Sequence, residues 1–184
     1  FDSMGWVVKN DILYDNNNNK VEFDFLLAQK GFERILAPFA RNLSKLGIKL
    51  NYRTIDLSLY QRRVDSFDFD MMVMSYPQSQ SPGNELLSMF HSASLNKKGS
   101  YNMSGINDPY ADKLIERIIY STDRKDLLVA ARLLDRILWN DFYMLPNWYI
   151  NKHRVAYFNK FTKPEILPKY YEAINYVLQT WSIK

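Results

Sequence analysis

The chain of 184 residues contains no cysteine, which excludes disulfide bonds, thiolate metal sites and cysteine nucleophiles. An absence of thiols is compatible with export of a bacterial protein to an oxidising compartment. No apolar run approaches the roughly 20 residues that a membrane-spanning helix needs. The first residue is Phe1 rather than methionine, so we interpret the chain as a fragment or processed piece, in which a missing leader says nothing about the compartment.

Clustered positive charge is missing as well. There are 24 lysines and arginines against 20 aspartates and glutamates, and adjacent basic residues occur in separate pairs such as Arg62-Arg63 and Lys97-Lys98. A nucleic-acid-binding surface needs such residues on one face, so nucleic acid is not an expected partner. The apolar fraction of 47% predicts a folded globular chain of one domain or slightly more.

Strand and helix patterns alternate through the first 75 residues. Apolar and polar residues alternate over residues 21–27 and predict a half-buried strand. A helix is predicted over residues 32–46, a strand over 48–55 and a short helix over 57–66. Residues 69–74 are almost all apolar and predict a strand that is covered on both faces. This order favours an α/β class, with a mixed, mostly parallel sheet flanked by helices.

Local signals mark where several helices begin and end. Gly47 predicts the end of the first helix. Three combinations predict helix starts: Ser81 followed by Pro82, Asp108 followed by Pro109, and Asp123. Three further segments, residues 143–150, 154–158 and 173–178, are predicted to be short strands near the C-terminus.

Few residues suit catalysis. His91 and His153 are the two histidines, and neither lies in a known catalytic motif. We expect His91 to cap or support a helix end and His153 to lie in a solvated loop. Asp68 and Asp70 would share one strand face, and we expect them to mark the start of the strand. A hydrolase that uses Asp68, Asp70 or Glu85 stays an alternative, and neither a metal nor a cofactor is expected.

The polar segment at residues 75–85 follows the predicted buried strand. Ligands of open α/β sheets bind beyond the carboxyl ends of the strands, and this segment offers hydroxyl, amide and aromatic groups at such an end. An ordinary surface turn is an equally good interpretation from these facts alone. A second loop at residues 100–104 has the same chemistry. Exposed aromatic side chains leave a protein–protein interaction module as another alternative.

The order of four segments resembles the C-terminal part of the extracellular solute-binding proteins of family 5, the oligopeptide, dipeptide and nickel class. The segments are residues 42–48, 66–71, 107–115 and 133–146. The third is similar to the family's N-P-x-x-D-x-L-I pattern. Residues 81–85 and 148–157 look like the binding proteins of ABC importers for microcin C-type peptide conjugates.

This resemblance implies a function in transport and not an enzyme. Residues 1–160 would form the C-terminal ligand-binding lobe of a periplasmic binding-protein fold, and residues 161–184 would return toward the missing N-terminal lobe. The two lobes would capture a peptide or peptide conjugate and deliver it to the membrane permease subunits of an ABC importer.

The expected ligand-binding residues combine hydrogen-bonding groups with aromatic rings. They are Tyr76, Ser79, Ser81, Asn84, Glu85, Tyr101, Asn102 and Trp148. The chain departs from the family at one point. Relatives carry an acidic residue after the corresponding strand, where it holds the α-amino group of the ligand, but residues 75–84 contain no acid. Glu85 is the nearest candidate, and as a first-turn helix residue it would also complement the helix dipole.

Overall fold

The chain begins with a short antiparallel hairpin, β1 (Val7–Lys9) and β2 (Ile12–Tyr14). The turn between them contains Asn10 and Asp11, whose φ angles are 50° and 62°. Asparagine and aspartate tolerate this left-handed conformation better than most residues.

The computed structural model describes residues 1–78, 81–149, 152, 154–168 and 173–184.

Two compact units make up the chain, Phe1–Met144 and Leu145–Lys184. The boundary predicted at residue 160 lies inside the second unit. Within the described part of the chain, every helix is too short or too polar to cross a membrane.

A three-stranded parallel sheet gives the first unit its α/β topology. The strands β3 (Glu22–Leu27), β4 (Lys49–Thr54) and β5 (Met71–Met72) lie in the spatial order β4-β3-β5. Helix α1 (Glu33–Ser44) connects β3 to β4, and helix α2 (Leu57–Asp65) connects β4 to β5. The predicted α/β class and the alternation of strands and helices are confirmed.

Gly47 was predicted to end the first helix, and it lies in the turn that directly follows the last helical residue, Ser44. Its φ angle is 78°, and its backbone N–H donates to the carbonyl of Ser44 at 3.0 Å. A Cβ atom at this position would lie 2.6 Å from the backbone nitrogen of Leu13 in β2. Glycine is therefore needed both for the left-handed turn and for the close approach of the hairpin.

The strand predicted at residues 69–74 is wrong in length and in burial. Only Met71 and Met72 pair with β3, and both are half-buried. Val73 is 37% exposed. Among the described strands, β5 has a neighbouring strand on one side only. An apolar run favours a covered strand, but it does not show how many of its residues pair or how far they are buried.

Three further helices build the main apolar core of the first unit. They are α3 (Glu85–Phe90), α4 (Pro109–Tyr120) and α5 (Arg124–Asn140). The buried side chains of this core are Leu86, Met89, Phe90, Ile106, Ala111, Ile115, Ile118, Ala130 and Leu134. Apolar residues recur on one face of each longer helix, which is why these helices pack against each other.

Two of the three predicted helix starts are confirmed. The Asp108 carboxylate accepts the N–H of Tyr110 at 2.7 Å, and the Asp123 carboxylate accepts the N–H of Asp126 at 3.1 Å. The helix start predicted at Ser81 and Pro82 is wrong, because α3 begins at Glu85. Cap-plus-proline pairs also occur in turns, and here the chain turns at Gly83 before the helix.

The second unit contains α6 (Ala173–Thr180) and the antiparallel pair β6 (Phe161–Thr162) and β7 (Ser182–Ile183). The strand predicted at residues 173–178 is wrong, because the segment is helical. Its apolar residues Ile174, Val177 and Leu178 recur at helical spacing, and a short window does not separate that spacing from a strand.

The other two predicted strands are absent from the described residues. Residues 143–149 and 154–158 have no regular secondary structure, and residue 150 lies outside the described part. Proline at position 146 removes a backbone donor, which weakens any strand pairing there.

Candidate ligand-binding site

The strand order indicates at which edge of the sheet a ligand is expected to bind. The chain passes from β3 to β4 on one side and then to β5 on the other side. In such sheets ligands bind outside the carboxyl ends of the strands, at the topological switch point where consecutive connections go to opposite sides of a strand. The described residues that follow the strand ends here are 28–34, 55–56, 73–78 and 81–85, and we call them the carboxyl edge.

Tyr76 anchors the segment that follows β5. Its ring lies 5.1 Å from the ring of Phe90, measured between centroids and tilted by 45°, and it packs against the helical core. Burial raises the pKa of the Tyr76 hydroxyl, and a hydrogen bond with the Ser104 side chain opposes this shift. Tyr76 therefore connects the carboxyl edge to the second polar loop.

The polar residues before α3 differ in their local contacts. Ser81 and Asn84 are exposed, and the Asn84 side chain forms no capping hydrogen bond with α3. Glu85 is half-buried, and its carboxylate accepts the N–H of Gly83 at 3.0 Å. Ser79 lies outside the described residues.

Asn102 has an internal role that the sequence prediction missed. Its side chain is 1% exposed. The amide nitrogen donates to the carbonyls of Ile106 at 2.9 Å and His91 at 3.3 Å, and the amide oxygen accepts the N–H of Ile106 at 2.7 Å. We therefore correct the prediction that Asn102 offers its amide to a ligand, because the loop itself uses that amide.

Tyr101 and Trp148 are both exposed rings. Tyr101 is 52% exposed, and its backbone N–H donates to the Ser88 hydroxyl of α3 at 3.3 Å. Trp148 belongs to the second unit and is 59% exposed. Its part in the site stays a prediction.

His91 supports the chain between α3 and the second loop, as expected. Its Nδ1 atom accepts the N–H of Ala93 at 3.0 Å and lies 3.4 Å from a carboxylate oxygen of Asp112. The Asp112 carboxylate also accepts hydrogen bonds from the N–H and the hydroxyl of Ser92, at 2.8 and 2.5 Å. These contacts fix the end of α3 against α4. His153 lies outside the described residues.

The carboxylates of the hydrolase hypothesis are held in separate contacts. Asp70 accepts the N–H of Asp24 at 2.7 Å, and Asp68 binds Arg63 at 2.9 Å. Both precede β5 and mark its start, as expected. Glu85 follows the other end of β5 and bonds to Gly83. Since acid–base catalysis needs carboxylates that converge on one substrate, the described contacts give this hypothesis no support.

The sequence prediction overlooked the segment after β3. Lys30 lies in a short 3-10 turn that leads into α1, and Arg34 lies in the first turn of α1. Both side chains are exposed. Between them, the Glu33 carboxylate accepts the Thr54 hydroxyl at 2.5 Å. Neighbouring parallel strands end at the same edge, so the pairing of β3 with β5 is the signal that identifies these residues.

Two open clefts lie elsewhere in the first unit. One of about 460 Å³ runs along β3 and β4 and meets the carboxyl edge only at Ile55. The other, of about 710 Å³, lies between α1 and the strands. We place the candidate site at the carboxyl edge, because the topology favours that end of the sheet and exposed polar groups gather there.

The fold has clear counterparts among solved structures. The oligopeptide-binding protein AppA of Bacillus subtilis, solved in complex with a nonapeptide, matches 77% of this chain with a TM-score of 0.66. The match covers 28% of AppA, and the two sequences are 26% identical.

Curated proteins with similar sequences agree with this match between structures. A probable peptide-binding protein YejA of Agrobacterium fabrum is 38% identical over 151 residues, which are 82% of this chain and 25% of the relative. The chain belongs to family 5 of the solute-binding proteins, the oligopeptide, dipeptide and nickel class. A second relative, named peptidoglycan-binding protein YepA, from the same organism, is 33% identical over 89% of this chain and 27% of its own length. No protein-family model matches the chain.

The chain spans about a quarter of the length of the curated relatives that it matches. The predicted family and binding-protein fold are confirmed.

Proposed function

We propose that this chain is part of the substrate-binding component of an ABC importer and that its carboxyl edge captures peptides. The observation that carries the proposal is the position of residues 75–78 and 81–84, which include no acid, beyond the end of β5, at the edge where ligands of open α/β sheets bind. AppA, which was solved with a nonapeptide, has a comparable fold.

Capture would use groups that are exposed at this edge. Ser81 and Asn84 would bind backbone groups of the peptide through their hydroxyl and amide, and Tyr101 would contact an apolar side chain. Ser79 and Trp148 stay predicted members of the same set. Closure of a second lobe over the ligand would bury the peptide and complete the hydrogen bonds.

The finer expectations belong to this proposal as well. The protein would act in the periplasm and deliver its ligand to the membrane permease subunits of the importer. Residues 161–184 would return toward an N-terminal lobe. The ligand would be a peptide or a peptide conjugate of the microcin C type.

A protein–protein interaction module would need an apolar patch at the carboxyl edge. The exposed residues there are mostly polar: Gln29, Lys30, Ser75, Gln78, Ser81 and Asn84. Polar groups of this kind suit the hydrogen-bonding groups of a peptide backbone better than an apolar protein surface.

Calorimetric titration of the intact protein with a library of tri- to decapeptides tests the proposal. Binding should weaken by about tenfold in the combined Ser81→Ala and Asn84→Ala variant, since about two hydrogen bonds are lost. Asn17→Ala is the matched control, because Asn17 is exposed near the opposite end of β3. A folded, ligand-free protein that gives no heat with any peptide would exclude the proposed function.

A further inference from the structure

Helix α5 has an outer face that the core of the first unit does not use. Its inner face contributes the buried side chains Ala130 and Leu134 to that core. The opposite face carries three exposed cations, Lys125, Arg132 and Arg136. Because successive residues of an α-helix are about 100° apart, these three positions lie within about 40° of one another around the helix axis. They form a row about 16 Å long, which we call the basic stripe.

The basic stripe is not neutralised by the part of the chain that the structure describes. Its three side chains form no hydrogen bond or ion pair with a described residue. The helix as a whole has four cations and two acids. One of these acids, Asp126, is bound by Arg117 of α4 at 3.0 Å. The other, Asp135, is exposed and lies to one side of the stripe, about 60° from Arg132.

Exposed apolar side chains flank the basic stripe on both sides. Leu128 and Trp139 lie along one side, and Val129 and Leu133 lie along the other. All four are exposed, and Trp139 is the most exposed of them at 61%. Arginine and tryptophan are enriched at the centres of protein interfaces, where tryptophan often contributes much of the binding energy.

The neighbouring helix α4 shows how an ordinary solvated face differs. Its exposed charged residues, Lys113, Glu116 and Arg117, include both signs, and Arg117 is paired with Asp126. Interspersed charges of both signs are typical of a helix face that contacts only water. The outer face of α5 has three unpaired cations between two apolar rows instead, and this pattern favours a partner that is both acidic and apolar.

We propose that the outer face of α5 docks onto an acidic surface of the importer's permease subunits. Carboxylates of the partner would pair with the basic stripe, and the two apolar rows would pack beside these pairs. The inference rests on the proposed function, because a substrate-binding component has to meet its permease to deliver the ligand. It assigns a second surface, built from residues that the carboxyl edge does not include.

The arrangement suits a protein partner better than a lipid surface. A helix that lies on a membrane inserts one continuous apolar face and keeps its cations on the polar face. In α5 the continuous apolar face packs into the core, and the remaining apolar side chains are divided by the cations. A folded partner can place carboxylates opposite the stripe and apolar groups opposite each row.

Surface plasmon resonance tests the assignment with the intact protein and the importer's permease subunits, which are reconstituted in nanodiscs of zwitterionic lipid. The combined change Lys125→Gln, Arg132→Gln and Arg136→Gln should weaken association by about tenfold, since three exposed charge pairs are lost. It should act mainly on the association rate and should reduce the dependence of that rate on salt. Trp139→Ala should also weaken association by about tenfold, chiefly through faster dissociation.

A matched control removes the same charge elsewhere. Arg62→Gln with Lys97→Gln and Lys98→Gln changes three exposed cations outside α5 and should leave association within about twofold of the unchanged protein. The α5 variants should also retain the peptide affinity and the unfolding midpoint of the unchanged protein, because the outer face contributes to neither.

Four results would overturn this docking surface. Two of them are unchanged association of the α5 variants and an equal loss in the control. The third is binding to protein-free phosphatidylglycerol vesicles that the charge change in α5 abolishes, which would assign the stripe to the membrane. The fourth is a lowered unfolding midpoint of the α5 variants, which would show that the intact protein covers this face itself. Each of these leaves peptide capture intact, whereas a protein that binds neither peptide nor permease would overturn the proposed function as well.

Discussion

The two polar segments on either side of α3 have similar chemistry and opposite structures. In the second loop Asn102 is 1% exposed, and its amide bonds to the backbone of Ile106 and His91. At the carboxyl edge Asn84 is exposed and makes no capping hydrogen bond with α3. An uncharged polar segment can therefore serve either as internal support or as a ligand surface. Which role it takes depends on whether its polar groups form hydrogen bonds within the fold.

Asn102→Ala is expected to have the largest effect on stability among the changes that test this difference. The change leaves the N–H and carbonyl of Ile106 buried without their side-chain partner, so it should lower the free energy of unfolding by about 2 to 4 kcal/mol. Asn84→Ala should change it by less than about 0.5 kcal/mol, because the residue is exposed. Urea denaturation of the intact protein, followed by circular dichroism, measures both.

Equal stability of the two asparagine variants would contradict the different roles assigned to Asn102 and Asn84. It would mean that the second loop does not depend on the Asn102 amide. Peptide binding by a folded Asn102→Ala protein should stay close to that of the unchanged protein, since we assign Asn102 a supporting role.

A smaller effect, on the pH dependence of stability, is expected when Tyr76 is replaced. Tyr76 connects the two segments. Burial raises the pKa of its hydroxyl above the ordinary value of 10.0, so the folded state favours the neutral form. The stability that this group contributes is fully present below the ordinary pKa and is lost as the pH rises through the folded-state pKa. Tyr76→Phe retains the ring and removes the ionising group. Its unfolding midpoint should therefore fall less steeply as the pH rises above about 10.

Parallel slopes for Tyr76→Phe and the unchanged protein would show that Tyr76 is not buried as described. Tyr60 and Tyr143 also have pKa values raised by burial, and they are present in both proteins. Their contribution cancels in the comparison.

Local signals allowed much of the fold to be predicted. Asp108 and Asp123 cap their helices through contacts within three residues in sequence, and Gly47 ends a turn that only glycine adopts easily. Such features depend on neighbours along the chain, so a sequence displays them directly. The alternation of strands and helices around the sheet follows from the same kind of short-range periodicity.

The rest depended on contacts between distant segments. The burial of Asn102 and the exposure of Asn84 result from packing, and no residue type distinguishes them in the sequence. Lys30 and Arg34 became candidates only when the pairing of β3 with β5 brought their segment to the carboxyl edge. The short length of β5 is likewise not evident from its apolar composition.

Hydrogen exchange of the intact protein, measured by mass spectrometry with and without a bound peptide, tests whether the carboxyl edge is the ligand surface. Exchange at residues 28–34 and 73–85 should become slower when peptide is present. Little change is expected at residues 102–107, because the Asn102 amide is satisfied by the backbone of Ile106 and His91. Protection confined to residues 102–107, or no change at the carboxyl edge with a peptide shown to be bound, would contradict this assignment of the two segments.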